Sequence, residues 1–179
     1  MDDCWEEKHP PRDPTTNELR GDGVRFASGM KALGDYVHAA GLSFAMYTAE
    51  STETCGGYPA SANYEALDAQ TFAAWGVDYL KVDGCGPGDY YPHGYQAMGA
   101  ALEASGRDIV YSCSWPAYIG SNESVKPFGT FIDDGCNLWR AFNAHRAAPT
   151  SLRPQLRADA PKPQPDRVNP NRQLGRHPV

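Results

Sequence analysis

A chain of 179 residues that is 41% hydrophobic can bury the core of one domain, and its net charge of −6 argues against a general nucleic-acid binder. No run of about 18 apolar residues occurs, so no membrane-spanning helix is expected. These averages conceal a division: every Cys, Trp, Tyr and Phe falls between residue 1 and about 143, whereas 144–179 is rich in Pro and Arg.

In chain order, the opening MDDCWEEKHP carries no basic-then-apolar signal segment. SGMKALGDYVHAAG (28–41) predicts a helix with Ser28 as N-cap, Met30, Leu33 and Val37 on one face, and Gly41 as the stop. GLSFAMYTA (41–49) follows as a short apolar strand. NYEALDAQTFAAWG (63–76) repeats the helix design with Tyr64, Leu67, Phe72 and Trp75 apolar and Gly76 closing, and VDYLKVDG (77–84) is the next strand. A helix near 91–105 ends at Gly106 before the strand DIVYSCSW (108–115), and CNLWR (136–140) supplies another strand. The tail 144–179 offers too little apolar surface to offset its ordering entropy and is expected to be disordered.

Strand–helix–strand alternation implies parallel βαβ units, satisfied by a doubly wound sheet or by a (β/α)8 barrel. No GxGxxG or Walker-type loop follows a strand, which weakens the phosphate-binding doubly wound folds. The strands end in Tyr47-Thr48, Asp83, Ser114-Trp115 and Trp139-Arg140, polar groups that a barrel gathers at one mouth. The barrel is the favoured fold. No CxxC pair occurs among Cys4, Cys55, Cys85, Cys113 and Cys136, so zinc-ribbon and thioredoxin-like readings lack their basic spacing; neither a metal nor a cofactor is expected. Five cysteines fit two disulfides and an orphan in an exported protein, or five free thiols in a cytosolic one. The sequon at Asn122 leans toward the secretory route.

YLKVDGC carries the strongest chemical signal. Lys81 and Asp83 lie two apart on a strand and share a face, so the ammonium is expected to keep the carboxylate ionised as a candidate nucleophile. On spacing alone, a turn after a strand is the plainer reading of Asp83-Gly84. Asp2 and Asp3 ahead of Trp5 suit a site that grips sugar hydroxyls while an indole packs on the ring; an exposed acidic N-terminus is the plainer alternative.

Six stretches in order (DDCW, ALGDYVHAAGL, TCGGYP, DAQTFAAWGVDYLKVDGC, IVYSCSWPAY and CNLWR) resemble the catalytic barrel of glycoside hydrolase family 27, the α-galactosidases and α-N-acetylgalactosaminidases, over residues 1–143. The resemblance implies that Asp83 is the nucleophile of a retaining exo-glycosidase. It further implies that Asp2 and Asp3 hold hydroxyls of a terminal galactose-type sugar, and that Tyr47, Lys81 and Arg140 contact it. It pairs Cys55 with Cys85 and Cys113 with Cys136, and leaves Cys4 unpaired because its partner lies upstream in full-length relatives. Small Ser114 and Ala117, where animal-type α-galactosidases carry larger groups, match the N-acetylgalactosaminidase pattern and make room for a 2-acetamido group. The implied partners are glycans ending in α-galactose or α-N-acetylgalactosamine. Lysosomal or secreted localisation and homodimerisation are implied for the full-length parent.

The chain departs from that pattern at both ends. It corresponds to the end of strand 2 and strands 3 to 6 of eight, and is expected to be an incomplete fragment. The family's acid/base aspartate, four residues after the arginine, falls on Ala144, so weak or absent activity is expected. The alternatives are a non-catalytic sugar-binding pseudoenzyme and a non-functional truncated product. Two unpaired sheet edges and poor cover for Leu80, Val82, Ile109 and Val110 are also expected.

Overall fold

The computed structural model describes residues 1–142; the expectations for Ala144 and for the tail 144–179 lie outside the described residues. Four parallel strands, β1 (Ala45–Ala49), β2 (Tyr79–Asp83), β3 (Val110–Cys113) and β4 (Leu138–Trp139), pair in sequence order. Between them lie α2 (Glu65–Trp75) and α3 (Tyr91–Ala104), then the short α4 (Trp115–Tyr118) and α5 (Phe128–Asp133); α1 (Met30–Ala39) precedes β1. The anticipated alternation is therefore present, with α4 and α5 added between β3 and β4.

Local chemistry sets the helix ends. Gly76 adopts the left-handed conformation (φ 80°, ψ 30°), and Val77 N–H then donates to Phe72 O, stopping α2 and turning the chain into β2. Ser28 does not cap α1. The cap position is Gly29 at φ 81°, a backbone angle that favours glycine, and no side chain caps the helix there.

Register decides which residues are covered. Tyr47, Lys81 and Ser112 align across β1–β3, as do Tyr79 and Val110. Residues alternate faces along a strand, so Leu80 and Val82 point away from Lys81 and Asp83. They are fully buried with Phe72, Tyr95, Met98 and Leu102 in the layer between sheet and helices. The expectation that Leu80 and Val82 would lack cover is corrected on this ground. Ile109 is half-buried, while Val110 and Leu138 are each 41% exposed. Val110 and Leu138 share the face of Tyr79, Lys81 and Ser112, the face turned away from the helices.

The β1 edge is also better protected than expected. Its alternate carbonyls, Ala45 O, Tyr47 O and Ala49 O, accept from Met1 N (2.6 Å), Trp5 Nε1 (2.8 Å) and Ser61 N (3.1 Å). Residues 1–5 thus lie along that edge in place of a further strand. Trp5 anchors them, 1% exposed and edge-on to Phe72 and Trp75.

Candidate active site

The C-terminal strand ends converge on Asp83, which closes β2 and is 5% exposed. Its Oδ1 accepts from Arg140 Nη2 at 2.8 Å, from Tyr118 Oη at 2.7 Å and from Gly84 N at 3.2 Å. Its Oδ2 has one long contact, from Tyr47 Oη at 3.4 Å. Tyr47 comes from β1, Tyr118 from α4, and Arg140 follows β4, so the site is assembled by the sheet as a whole. One carboxylate oxygen is fixed by two strong donors and the other stays nearly uncommitted.

Both phenols remain protonated donors. Burial, then the Asp83 charge, pushes Tyr47 far above its ordinary value, while burial and the hydrogen bond to Asp83 push Tyr118 up to about 12. The Tyr118 ring also carries the Arg140 guanidinium 5.4 Å from its centre. Tyr118 was not singled out from sequence, because it sits on a four-residue helix where no periodicity marks it; its place in CSWPAY was the available signal.

Lys81 is not the partner of Asp83. Same-face neighbours on a strand are roughly 6.6 Å apart, and the long side chain of Lys81 reaches across Tyr47 instead. Its Nζ lies 3.0 Å from Asp2 Oδ2 and 4.8 Å from the Tyr47 ring centre. Arg140 occupies the role expected of Lys81.

The two N-terminal aspartates are unlike one another. Asp3 is saturated by the protein: Oδ1 accepts from Cys4 N (2.7 Å) and Thr54 Oγ1 (2.6 Å), and Oδ2 from Gly56 N (2.7 Å). Asp2 keeps a side chain that is 71% exposed beside Lys81. Partial burial pushes the Asp2 carboxyl up, but the Asp3 amide and the Lys81 ammonium outweigh it and hold the group below the ordinary aspartate value.

Disulfides Cys55–Cys85 (Cα–Cα 5.0 Å) and Cys113–Cys136 (5.9 Å) brace the loops after β1 and β2 and the β3–β4 connection. Cys55 and Cys85 lie within ligand distance of Asp83, but as a disulfide they offer no thiolate to a metal. Cys4 is a free thiol among the described residues, pushed up by burial and by the Asp3 and Glu6 charges. Ser114 and Ala117, 2% and 7% exposed, lie in the turn and helix that follow β3. Exposed Asn122 accepts from Ser124 N (3.1 Å) and Ser124 Oγ (2.7 Å), capping the short 3₁₀ turn Glu123–Val125. Among the described residues no helix is long and apolar enough to cross a membrane.

Comparison with known proteins agrees with this architecture. The family described as "Alpha galactosidase A" matches residues 1–160. Over 145 residues the chain is 48% identical to the α-N-acetylgalactosaminidase of Gallus gallus, covering 80% of this chain and 35% of that protein. Over 144 residues it is 44% identical to the α-galactosidase A of Homo sapiens, covering 79% and 32%. A crystal structure from Bacteroides fragilis, described as a putative α-galactosidase/melibiase, superposes with a TM-score of 0.68 at 34% identity, over 79% of this chain and 29% of that one. The α-galactosidase I of Mortierella vinacea gives 0.57 at 40% identity, over 63% and 29%. The chain thus spans about a third of the length of these curated relatives. Its four parallel strands are an arc of their TIM barrel. By sequence and by fold, the chain belongs to glycoside hydrolase family 27.

Proposed function

We propose that this chain carries the nucleophile side of a retaining exo-glycosidase site for terminal α-linked N-acetylgalactosamine or galactose. The observation that carries the reading is the asymmetry of Asp83: Oδ1 is held by Arg140 and Tyr118, leaving Oδ2 the freer oxygen. In the proposed first step Oδ2 attacks the anomeric carbon as the bond to the aglycone oxygen breaks, giving a glycosyl ester on Asp83. Water then cleaves that ester and the carboxylate is restored. Asp2 with Lys81, together with Tyr47, Tyr118 and Arg140, would grip the sugar, while Asp3 shapes the loop beside it.

The same mechanism needs a second carboxyl roughly 5–5.5 Å away to protonate the leaving oxygen. The family resemblance puts it at position 144, and an alanine methyl moves no proton. General-acid help is worth about 10²–10⁴-fold, so natural sugar or peptide aglycones are expected to leave very slowly from this chain. An activated p-nitrophenyl α-glycoside needs little protonation. It should give a burst of nitrophenol and a mass increment on Asp83, both absent in Asp83→Asn. Rapid turnover of natural α-N-acetylgalactosaminyl glycans would overturn the inactivity. A chain that binds the sugar without forming the ester is the pseudoenzyme alternative, favoured by Ala144.

Specificity follows from the small pair Ser114 and Ala117. Ser114→Glu is expected to weaken binding of N-acetylgalactosamine at least about tenfold while sparing galactose, as read by calorimetric titration; equal losses for both sugars would remove the specificity assignment. Two disulfides and the Asn122 sequon support a lysosomal or secreted parent protein. Homodimerisation belongs to the same proposal and rests on the family resemblance.

A further inference from the structure

Lys126 lies in a stretch whose neighbours Glu123 and Val125 are exposed, yet its own side chain is fully enclosed. A buried ammonium is costly unless it is bonded, so its partners indicate what it is for. Lys126 Nζ donates to Glu123 Oε1 at 2.8 Å and to Ala141 O at 2.6 Å, and stands 5.4 Å from the centre of the Phe142 ring. Ala141 and Phe142 are the two residues that follow Arg140. β4 is two residues long and, among the described residues, pairs only with β3. Beyond it, the Arg140 amide makes one further backbone tether, to Cys113 O at 3.0 Å. Phe128 packs on Trp139 with ring centres 5.5 Å apart.

We propose that Lys126 is a positioning residue: it fixes the path of the chain leaving β4, so that the Arg140 guanidinium is held against Asp83. The segment joining α4 to α5 thereby belongs to the working parts of the site although Lys126 touches neither sugar nor Asp83. The chemical consequence rests on the reading of Asp83 as a nucleophile; the positioning does not.

Amide hydrogen exchange on the full 179-residue chain tests it without any turnover. Losing a hydrogen bond from a charged donor corresponds to roughly ten- to hundredfold. Lys126→Met should therefore accelerate exchange at the Arg140 amide by about that factor, leave β2 amides unchanged, and be partly reversed by Lys126→Arg. Lys126→Gln, which keeps an N–H for the Ala141 carbonyl, is the second variant should Lys126→Met fail to fold; it should show a smaller acceleration confined to Arg140. Unchanged exchange at Arg140, or equal acceleration across β1–β3 in every folded variant, overturns the proposal. Labelling of Asp83 by the activated glycoside, run in parallel, should slow in Lys126→Met. Absence of labelling in the unmodified chain counts against the glycosidase reading and leaves the exchange result to decide Lys126.

Discussion

Glu6→Gln is expected to stabilise the chain at alkaline pH and to flatten the decline of its stability between about pH 4.5 and 8. Glu6 is 0% exposed, and neither carboxylate oxygen has a hydrogen-bond partner. Burial first, with the Asp3 charge adding to it, pushes the group from an ordinary 4.5 up to about 8, against the opposing pull of the nearby Glu6 and Trp5 amides and, more weakly, of Arg25. Between those two values the folded chain holds a proton that the unfolded chain has released, so stability falls as pH rises. Below pH 4.5 both states are protonated and this cost vanishes. One pKa unit corresponds to about 1.4 kcal/mol, which sets a ceiling on the order of 5 kcal/mol at pH 8. Gln keeps the neutral shape at every pH and avoids that cost. Urea unfolding at pH 4 and pH 8.5 checks it: the variant should match the parent at the lower pH and exceed it at the higher. Parallel pH profiles would refute the burial argument. Glu50, buried at the end of β1 with neither oxygen partnered and pushed well above its ordinary value, adds a decline of the same sign. The variant's profile should therefore flatten without becoming level.

Trp5→Ala should cost about 3–5 kcal/mol, a large share of the 5–15 kcal/mol typical of a domain. Trp5 fills a cluster with Phe72 and Trp75, at centroid distances of 6.3 and 5.6 Å, and its indole N–H covers an edge carbonyl of β1. Losing it removes packing and also releases the strip that carries Asp2 and Asp3. Sugar binding should consequently fall more than the change in folded fraction explains. Trp5→Phe retains most of the packing but loses the bond to Tyr47 O, and should cost roughly 0.5–1.5 kcal/mol. Denaturation curves and sugar titration on the same samples separate the two losses. Binding that merely tracks the folded fraction would show that the strip does not hold the acid pair.

The legible parts of the sequence were those whose physics is local. Gly41 and Gly76 punctuate helices through their backbone angles, and strand parity places Lys81 and Asp83 on one face whatever surrounds them. What stayed hidden depends on distant partners. Arg12 and Asp68 are 56 residues apart, yet the guanidinium meets both carboxylate oxygens at 2.7 and 2.8 Å and joins the N-terminal segment to α2. Helix α5 escaped notice because it is six residues long, contains Gly129 and buries one side chain, Phe131. The choice of Arg140 over Lys81 as the partner of Asp83 is likewise decided by side-chain reach across strands, which spacing along one strand does not encode.

The saturated carboxylate of Asp3 ties together parts that the chain order keeps apart. It receives Thr54 Oγ1 and Gly56 N, the residues flanking Cys55, while Cys55 is bonded to Cys85 two positions after Asp83. Asp3, the loop tip, the sulfur bridge and the strand that ends in Asp83 are therefore linked in series, part by hydrogen bonds and part covalently. Opening the bridge with a reductant is expected to leave Asp83 seated in its strand but to free the loop tip, and with it the donors that orient Asp3. The thiol poise of the surrounding compartment thereby acts on how the rim proposed to grip the sugar is held as well as on how firmly the chain is folded.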